Sequence, residues 1–252
     1  MNDVERTVPL LPGERVDDLM AGGLAIIQHP GVFCFSLDAV LLARFVTLPP
    51  RGRVVDLCTG NGIIPLLLST RTAAEIVGVE IQERLCDMAR RSVTLNGLDD
   101  RVSILCRDLR MCTEVLPVGT FDVVTANPPY LPRDGADVSP NPYLAAARHE
   151  LFCTLEDVVR VASRLVKSGG RVALVHRPAR LVELLSLMRQ YRVEPKRVRL
   201  VHPYADRPAN LVLVEGIRDG GVELRVMPPL VVYRAPGVYT DEVLRIYGGG
   251  TA

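Results

Sequence analysis

Along this chain, short apolar runs alternate with stretches whose apolar positions recur at helical spacing. From Arg53 onward the runs are Val54-Val55-Asp56-Leu57, Ile76-Val77-Gly78-Val79, Val102-Ser103-Ile104-Leu105 and Val123-Val124-Thr125. Predominantly apolar runs of that length predict strands covered on both faces, and the segments between them, Ile63 to Thr70 and Gln82 to Asn96, predict crossover helices. Gly97 is placed to stop the second of these. A further helix opens at Thr154, with Glu156 and Asp157 in its first turn and Lys167 near its end. A strand at Val172-Ala173-Leu174-Val175 and a helix from Ala179 to Tyr191 follow. The last two sheet runs, Arg197 to Val201 and Asn210 to Glu215, are joined by a polar loop too short for a crossover, so they must be antiparallel neighbours. The expected fold class is α/β, a seven-stranded, mostly parallel sheet with one reversed strand.

Either side of that sheet the pattern is less regular. Leu24-Ala25-Ile26-Ile27-Gln28 and Val32-Phe33-Cys34-Phe35 read as a hairpin across His29-Pro30-Gly31, and Ser36 as the N-cap of a helix that ends before Pro49-Pro50. Residues 222 to 247 add one or two short strands and a terminal helix, Asp241 to Tyr247. The expected organisation is a single domain: an N-terminal hairpin and helix over 1–50, a ligand-binding catalytic core over 51–216, and a C-terminal addition over 217–252. At 252 residues and 48% apolar content, one such core is well supplied.

Composition narrows the partners. The formal net charge is +1, which gives no global field toward nucleic acid or a membrane and leaves any such contact to a local patch. Six cysteines include no C-x-x-C pair and no histidine at metal-ligand spacing, which argues for reduced thiols and against a zinc site or disulfide framework. No apolar run reaches membrane-spanning length and the first residues lack a leader pattern, so a soluble, cytoplasmic, metal-free monomer is expected.

The chemistry gathers at the carboxyl ends of the predicted strands, where open α/β sheets place their ligands. Asp56-Leu57-Cys58-Thr59-Gly60-Asn61-Gly62 links the first strand to its helix, and Gly60 and Gly62 allow a tight turn and close backbone approach by a ligand. Glu80, 24 residues after Asp56, is placed to accept two ribose hydroxyls, with Ile81 beside it. Asp108 and Leu109 follow the third strand, where the acid suits an adenine amino group. A dinucleotide fingerprint wants a third glycine, yet Ile63, Ile64 and Pro65 stand there, while Asp56 suits a cationic ligand such as S-adenosylmethionine. Each acid taken alone also reads as a cap of the helix after it.

The fourth strand ends in Asn127-Pro128-Pro129-Tyr130. Two prolines fix φ and remove two backbone donors, which leaves an acceptor-rich tip with one aromatic ring. The segment Pro132 to Pro142 beyond it reads as a loop beside the site, and His149-Glu150 as ordinary surface polarity.

These pieces resemble the class I S-adenosylmethionine-dependent methyltransferases, whose Rossmann-like sheet has the strand pattern above, and the tip resembles their amino-methyltransferase signature. With Gln28, Phe33, Phe35-Ser36-Leu37-Asp38-Ala39-Val40-Leu41-Leu42 and the tail Pro228-Pro229-Leu230-Val231-Val232-Tyr233 with Tyr239-Thr240, the resemblance extends to the bacterial tRNA (adenine-N6) methyltransferases acting on a valine tRNA. It implies cofactor contacts at Phe35, Asp38, Asp56, Gly60, Asn61, Gly62, Glu80, Ile81, Asp108, Leu109 and Asn127, catalysis by Asn127, Pro128 and Tyr130, and a target adenosine just 3′ of the anticodon.

The N6 lone pair of adenine is delocalised into the ring, so acceptors at Asn127 and Pro128 that take its two hydrogens would draw that pair out, with Tyr130 stacking the base. The base must be unstacked to reach such a pocket, which favours a loop as substrate. A glutamine side-chain amide poses the same problem and stays open as an alternative, as does a catalytically silent RNA-binding module. The basic run from Arg189 to Arg199 either holds RNA phosphate or forms a solvated helix end and strand face.

Overall fold

The computed structural model describes residues 8–19, 22–32, 34, 36–131, 150–248 and 250. The loop expected over Pro132 to Pro142, together with Phe33, Phe35 and His149, lies outside the described residues.

The parallel core consists of β3 (Arg53–Leu57), β4 (Glu75–Glu80), β5 (Val102–Cys106), β6 (Phe121–Ala126) and β7 (Val166–His176), ordered β5-β4-β3-β6-β7. Beyond β7 lie β9 (Leu211–Arg218) and then β8 (Val193–His202), and each pairs antiparallel with its neighbour. β9 is therefore the one reversed strand of the seven. Two-residue strands β10 (Arg225–Val226) and β11 (Leu230–Val231) extend the β8 edge in parallel.

Alternation along the strands builds two cores. Val54, Val123, Ala173 and Leu213 face α1 (Leu37–Phe45) and α2 (Ile63–Ser69). Val55, Val124, Val172, Val212 and Val214 face α4 (Leu155–Leu165) and α5 (Leu181–Gln190). With β3 and β6 buried on both sides, a one-residue slip would gain nothing, and register is set by the ends of the runs. α3 (Glu83–Leu95) carries a stripe of Leu85, Met88, Ala89 and Val93 on its buried side. α4 is closed at its start by a capping box, in which Thr154 Oγ1 accepts from Asp157 N–H and the Asp157 carboxylate accepts from Thr154 N–H.

Several local expectations are corrected. The described partner of β2 (Ala25–Gln28) is β1 (Arg15–Asp18), while the expected partner Val32–Phe35 includes Phe33 and Phe35, outside the described residues. Leu19 N–H donates to the Leu24 carbonyl across a turn that carries Gly22 and Gly23, and β2 docks on α3 through Ser92 and Asn96 side chains that satisfy its edge. Lys167 lies in β7 rather than at the end of α4, and its Nζ meets Asp122 Oδ1 at 2.5 Å. The tail holds more strand than expected: besides β10 and β11 it forms a hairpin of β12 (Tyr233–Ala235) and β13 (Val238–Tyr239) before α6 (Asp241–Tyr247). The basic run is taken up in pairing. Arg189 meets Glu194, Arg192 meets Asp219, Arg197 meets Glu215 and Arg199 meets Glu242. Its first members also precede β8 at the sheet's amino edge, away from the strand ends that carry the site.

Among the described residues no helix is long and apolar enough to cross a membrane, and no group of three or more His, Cys, Asp or Glu is placed to hold a metal.

Candidate active site

The carboxyl ends of β3, β4, β5, β6 and β7 open on one cavity of about 450 Å³, within the usual size for a small-molecule site. Its wall includes Asp38, Gly60, Asn61, Glu80, Ile81, Asp108, Leu109, Asn127, Pro128 and Tyr130. Two expected contacts, Asp56 and Gly62, stand behind that wall instead.

Asp56 is fully buried, and its two oxygens accept from Thr59 Oγ1 and Thr125 Oγ1, each at 2.6 Å. Burial outweighs both donors and pushes its carboxyl up to about 7. Its place is beneath the loop, which it holds through Thr59. The loop turns through left-handed residues at Cys58, Gly60 and Gly62. The two glycines have different reasons to be there. A Cβ on Gly60 would meet nothing within 4 Å and would project into open space at the cavity wall. A Cβ on Gly62 would stand 3.1 Å from that of Ala89, so this glycine admits α3.

Glu80, buried at the end of β4, accepts from Gly60 N–H through Oε2 at 2.9 Å and from Ile81 and Gln82 N–H through Oε1. Burial raises its carboxyl despite these three donors. A carboxylate has about four acceptor positions, so Oε2 keeps one for a ligand hydroxyl. Asp108 caps the 3₁₀ turn Leu109–Glu114 by accepting from Arg110 N–H at 2.9 Å, and the Arg110 guanidinium beside it lowers its carboxyl. It is thus a cap and a wall residue at once. Asn61 Nδ2 donates to the Ile27 carbonyl at 3.3 Å and ties the loop to the N-terminal hairpin.

At the tip, Tyr130 Oη lies 2.6 Å from Asp38 Oδ2 and 2.6 Å from Asn127 Oδ1. Asp38 sits in the first turn of α1, and its Oδ1 accepts from Ala39 N–H at 2.8 Å and from the Ser36 hydroxyl. Ser36 is the N-cap by position, but its hydroxyl serves Asp38 rather than the helix. Burial and the Asp38 charge push the Tyr130 phenol well up, so it stays protonated. That single proton cannot serve two acceptors. Donated to the carboxylate, it leaves the Asn127 amide to satisfy the phenol oxygen through Nδ2–H, a half-turn that sends Oδ1 to the opposite side.

The Tyr130 ring is held as well. His176 meets it edge-on at 5.1 Å, and the Arg177 guanidinium lies over it 5.3 Å from the centroid. His176 is fully buried and burial takes it down to about 4, so it is neutral; Nδ1 accepts from Arg177 N–H, which puts its proton on Nε2. Arg177, exposed at the cavity mouth, is a wall residue that sequence reasoning missed, although its place directly after the β7 run was a signal. Glu150 proves structural: its Oε1 accepts from Leu155 N–H and Arg180 Nη1.

The family model for the methyltransferase small domain matches residues 23–191. A Porphyromonas gingivalis protein named tRNA1(Val) (adenine(37)-N6)-methyltransferase is 28% identical, with 83% of this chain and 85% of that protein covered. One of the same name from Aeromonas hydrophila is 26% identical over 83% and 86%. Among solved structures, a predicted O-methyltransferase from Agrobacterium tumefaciens has a TM-score of 0.70 at 25% identity, covering 85% of this chain and 97% of its own. The geranyl diphosphate C-methyltransferase of Streptomyces coelicolor, solved with S-adenosyl-L-homocysteine, shares the fold with a TM-score of 0.54 at 16% identity, over 71% and 78%.

Proposed function

The chain belongs to the methyltransferase small domain family, and on that premise we propose that it transfers a methyl group from S-adenosylmethionine to the N6 amine of an adenine in a tRNA anticodon loop. The observation that carries this reading is the shared cavity, in which the Asn127-Pro128-Pro129-Tyr130 tip faces the Gly60 loop and Glu80. The names of the relatives point to tRNA adenine as acceptor. The chain is read as a single catalytic domain, monomeric and cytoplasmic, that takes its base unstacked from a single-stranded loop.

When bound, the cofactor supplies an electrophilic methyl on a sulfonium. Gly60 and Asn61 would border its methionine end, the free lone pair of Glu80 would take a ribose hydroxyl, and Asp108 would receive the adenine amino group between Ile81 and Leu109. The open space at Gly60 and the unused acceptor on Glu80 fit such a ligand. Asp38 acts on Tyr130, and Asp56 on the loop.

The acceptor amine is handled by the tip. Asn127 Oδ1, turned outward by the Tyr130 contact, and the Pro128 carbonyl each take one N6 hydrogen, which favours a pyramidal nitrogen with its lone pair free for attack. Tyr130, fixed at its hydroxyl and its edge, gives the base a flat wall on the face that Arg177 does not cover. As the amine is alkylated, it sheds a proton along the same hydrogen bonds toward solvent.

Labelled S-adenosylmethionine offered in parallel to unmodified tRNA, a glutamine-bearing release-factor protein and duplex DNA tests the reading. Label in tRNA as N6-methyladenosine is expected; label only in the protein or the DNA overturns it.

A further inference from the structure

Four tyrosines stand in one row at the edge of the cavity side. Tyr204 and Tyr233 have centroids 5.6 Å apart, Tyr233 and Tyr239 stack at 5.1 Å and 14°, and Tyr239 and Tyr247 follow at 5.6 Å. The chain is poor in aromatic residues, at 5%, and has seven tyrosines in all, so more than half of them are spent here. Elsewhere its cores are filled mainly by aliphatic side chains, with Phe45 and Phe121 among them. All four rings are half-buried, and Tyr233, Tyr239 and Tyr247 pack against the core.

Topology sets the row beside the active site. β8 runs parallel to β7, since both oppose β9, and so His202 ends on the cavity side of the sheet. Tyr204 follows in the next turn. β11 is parallel to β8, with Val231 opposite His202, so β12 and its Tyr233 also start at that edge. Both ends of the row return to Tyr130. At one end, Arg177, over the Tyr130 ring, donates to the Asn210 carbonyl and so holds the 203–210 loop to the mouth. At the other, α6 packs on α1, the helix that carries Asp38.

Cations line the same segments. Arg207 and Arg245 are exposed and make no ion pair among the described residues, while Arg234 has only Asp241 at 3.7 Å. Against them stand Asp206 and Asp241, and Glu242 is occupied by Arg199. This differs from the run Arg189 to Arg199, whose arginines are paired and whose first members lie at the far edge. Aromatic rings interleaved with free cations are what a single nucleic-acid strand requires, since bases stack on the rings and phosphates meet the guanidinium groups.

We propose that the arc Tyr204–Tyr233–Tyr239–Tyr247, with Arg207, Arg234 and Arg245, is the landing surface for the single strand that flanks the base entering the cavity. It rests on the RNA reading above and adds where the RNA is held. The row also explains why the tail runs back across α1: it brings the strand's contacts to the helix that holds Asp38.

The test uses the full chain and a fluorescent anticodon stem-loop RNA, with binding followed by anisotropy at several salt concentrations. Arg207→Glu with Arg245→Glu changes only exposed side chains; it should weaken binding about tenfold or more and lower the salt slope by about 2. Tyr204→Ala should weaken it about fivefold with the slope kept. S-adenosylmethionine affinity, measured by calorimetry, should not change in either, which excludes a folding defect. RNA affinity and slope equal to the unaltered protein's in both variants would overturn the arc. Methylation of tRNA by the unaltered protein, run alongside, separates the two failures: methylation with unaffected variants sinks the arc alone, and neither methylation nor RNA binding sinks both.

Discussion

Tyr130 Oη lies 2.6 Å from Asp38 Oδ2, a contact between positions 92 residues apart that joins the first turn of α1 to the tip after β6. On the proposed reading it decides which atom of Asn127 is left for the substrate. A carboxylate outcompetes an amide oxygen for the phenolic proton, so on the proposed reading the amide presents N–H to Tyr130 and leaves its oxygen for the substrate. That reading makes Asp38 a positioning residue, whose effect passes through two side chains before it reaches substrate.

Removing either end of that contact should release the amide. Tyr130→Phe and Asp38→Asn are each expected to lower kcat by about 10- to 100-fold, about 1.4 to 2.7 kcal/mol, with cofactor affinity changed much less. The double variant should be little worse than the worse single one, because both act on one geometry. Steady-state kinetics on tRNA with calorimetry for the cofactor checks this; fully additive losses would contradict a shared role.

Asn127→Ala removes the acceptor itself. By the measure of other preorganised groups it should cost about 2.7 to 4 kcal/mol of transition-state stabilisation, seen as a kcat loss of about 100- to 1000-fold. KM for tRNA should move little. A variant that loses binding and keeps kcat would assign Asn127 to recognition instead.

The two glycines of the β3–α2 loop separate by readout. Gly60→Ala places a methyl at the cavity wall and should weaken S-adenosylmethionine binding by about tenfold, with a stability cost of about 1 to 2 kcal/mol from its φ of 59°. Gly62→Ala pushes against Ala89 and should cost more stability, with the cofactor affected through the fold. Thermal unfolding with and without cofactor resolves the pair.

Stability should depend on pH through two buried groups of opposite sign. His176 stands at about 4 in the fold against 6.5 in the unfolded chain, so its contribution is full above pH 6.5 and is lost toward pH 4, about 3 kcal/mol in all. Asp56 is raised from 3.8 to about 7, so its contribution is full below pH 3.8 and is lost as pH rises to about 7. Urea midpoints measured across this range should show His176→Asn flattened on the acid side and Asp56→Asn holding its stability toward neutral pH; unchanged slopes in both variants would contradict the assigned burial.

What the sequence disclosed follows from how local each feature is. The runs at Val54, Ile76 and Val123 are largely buried on both faces and the run at Val102 closes their edge, and so a parallel sheet was legible from apolar content. The cavity wall at Glu80, Asp108 and Asn127 was legible because strand ends are where such a sheet exposes polar groups. Partnership was not. Nothing near Ile26 says that Arg15–Asp18 will pair with it, because a two-strand ribbon on α3 is chosen by the helix beneath it. Asp56 looks like any strand-end acid until Thr59 and Thr125 are seen to consume both oxygens. Tyr204, Tyr233, Tyr239 and Tyr247 are spread over 44 residues and become a row only when β11 aligns with β8.

On the proposed reading, Asn127 Oδ1 and the Pro128 carbonyl accept the two hydrogens of an adenine amine, with Tyr130 beside the base. Mass spectrometry of nucleosides from unmodified tRNA treated with the protein and S-adenosylmethionine tests it most directly. N6-methyladenosine should appear, map to the anticodon loop, and be lost with Asn127→Ala. Methylation on a ribose oxygen, on another base, or at full rate in Asn127→Ala would contradict the claim.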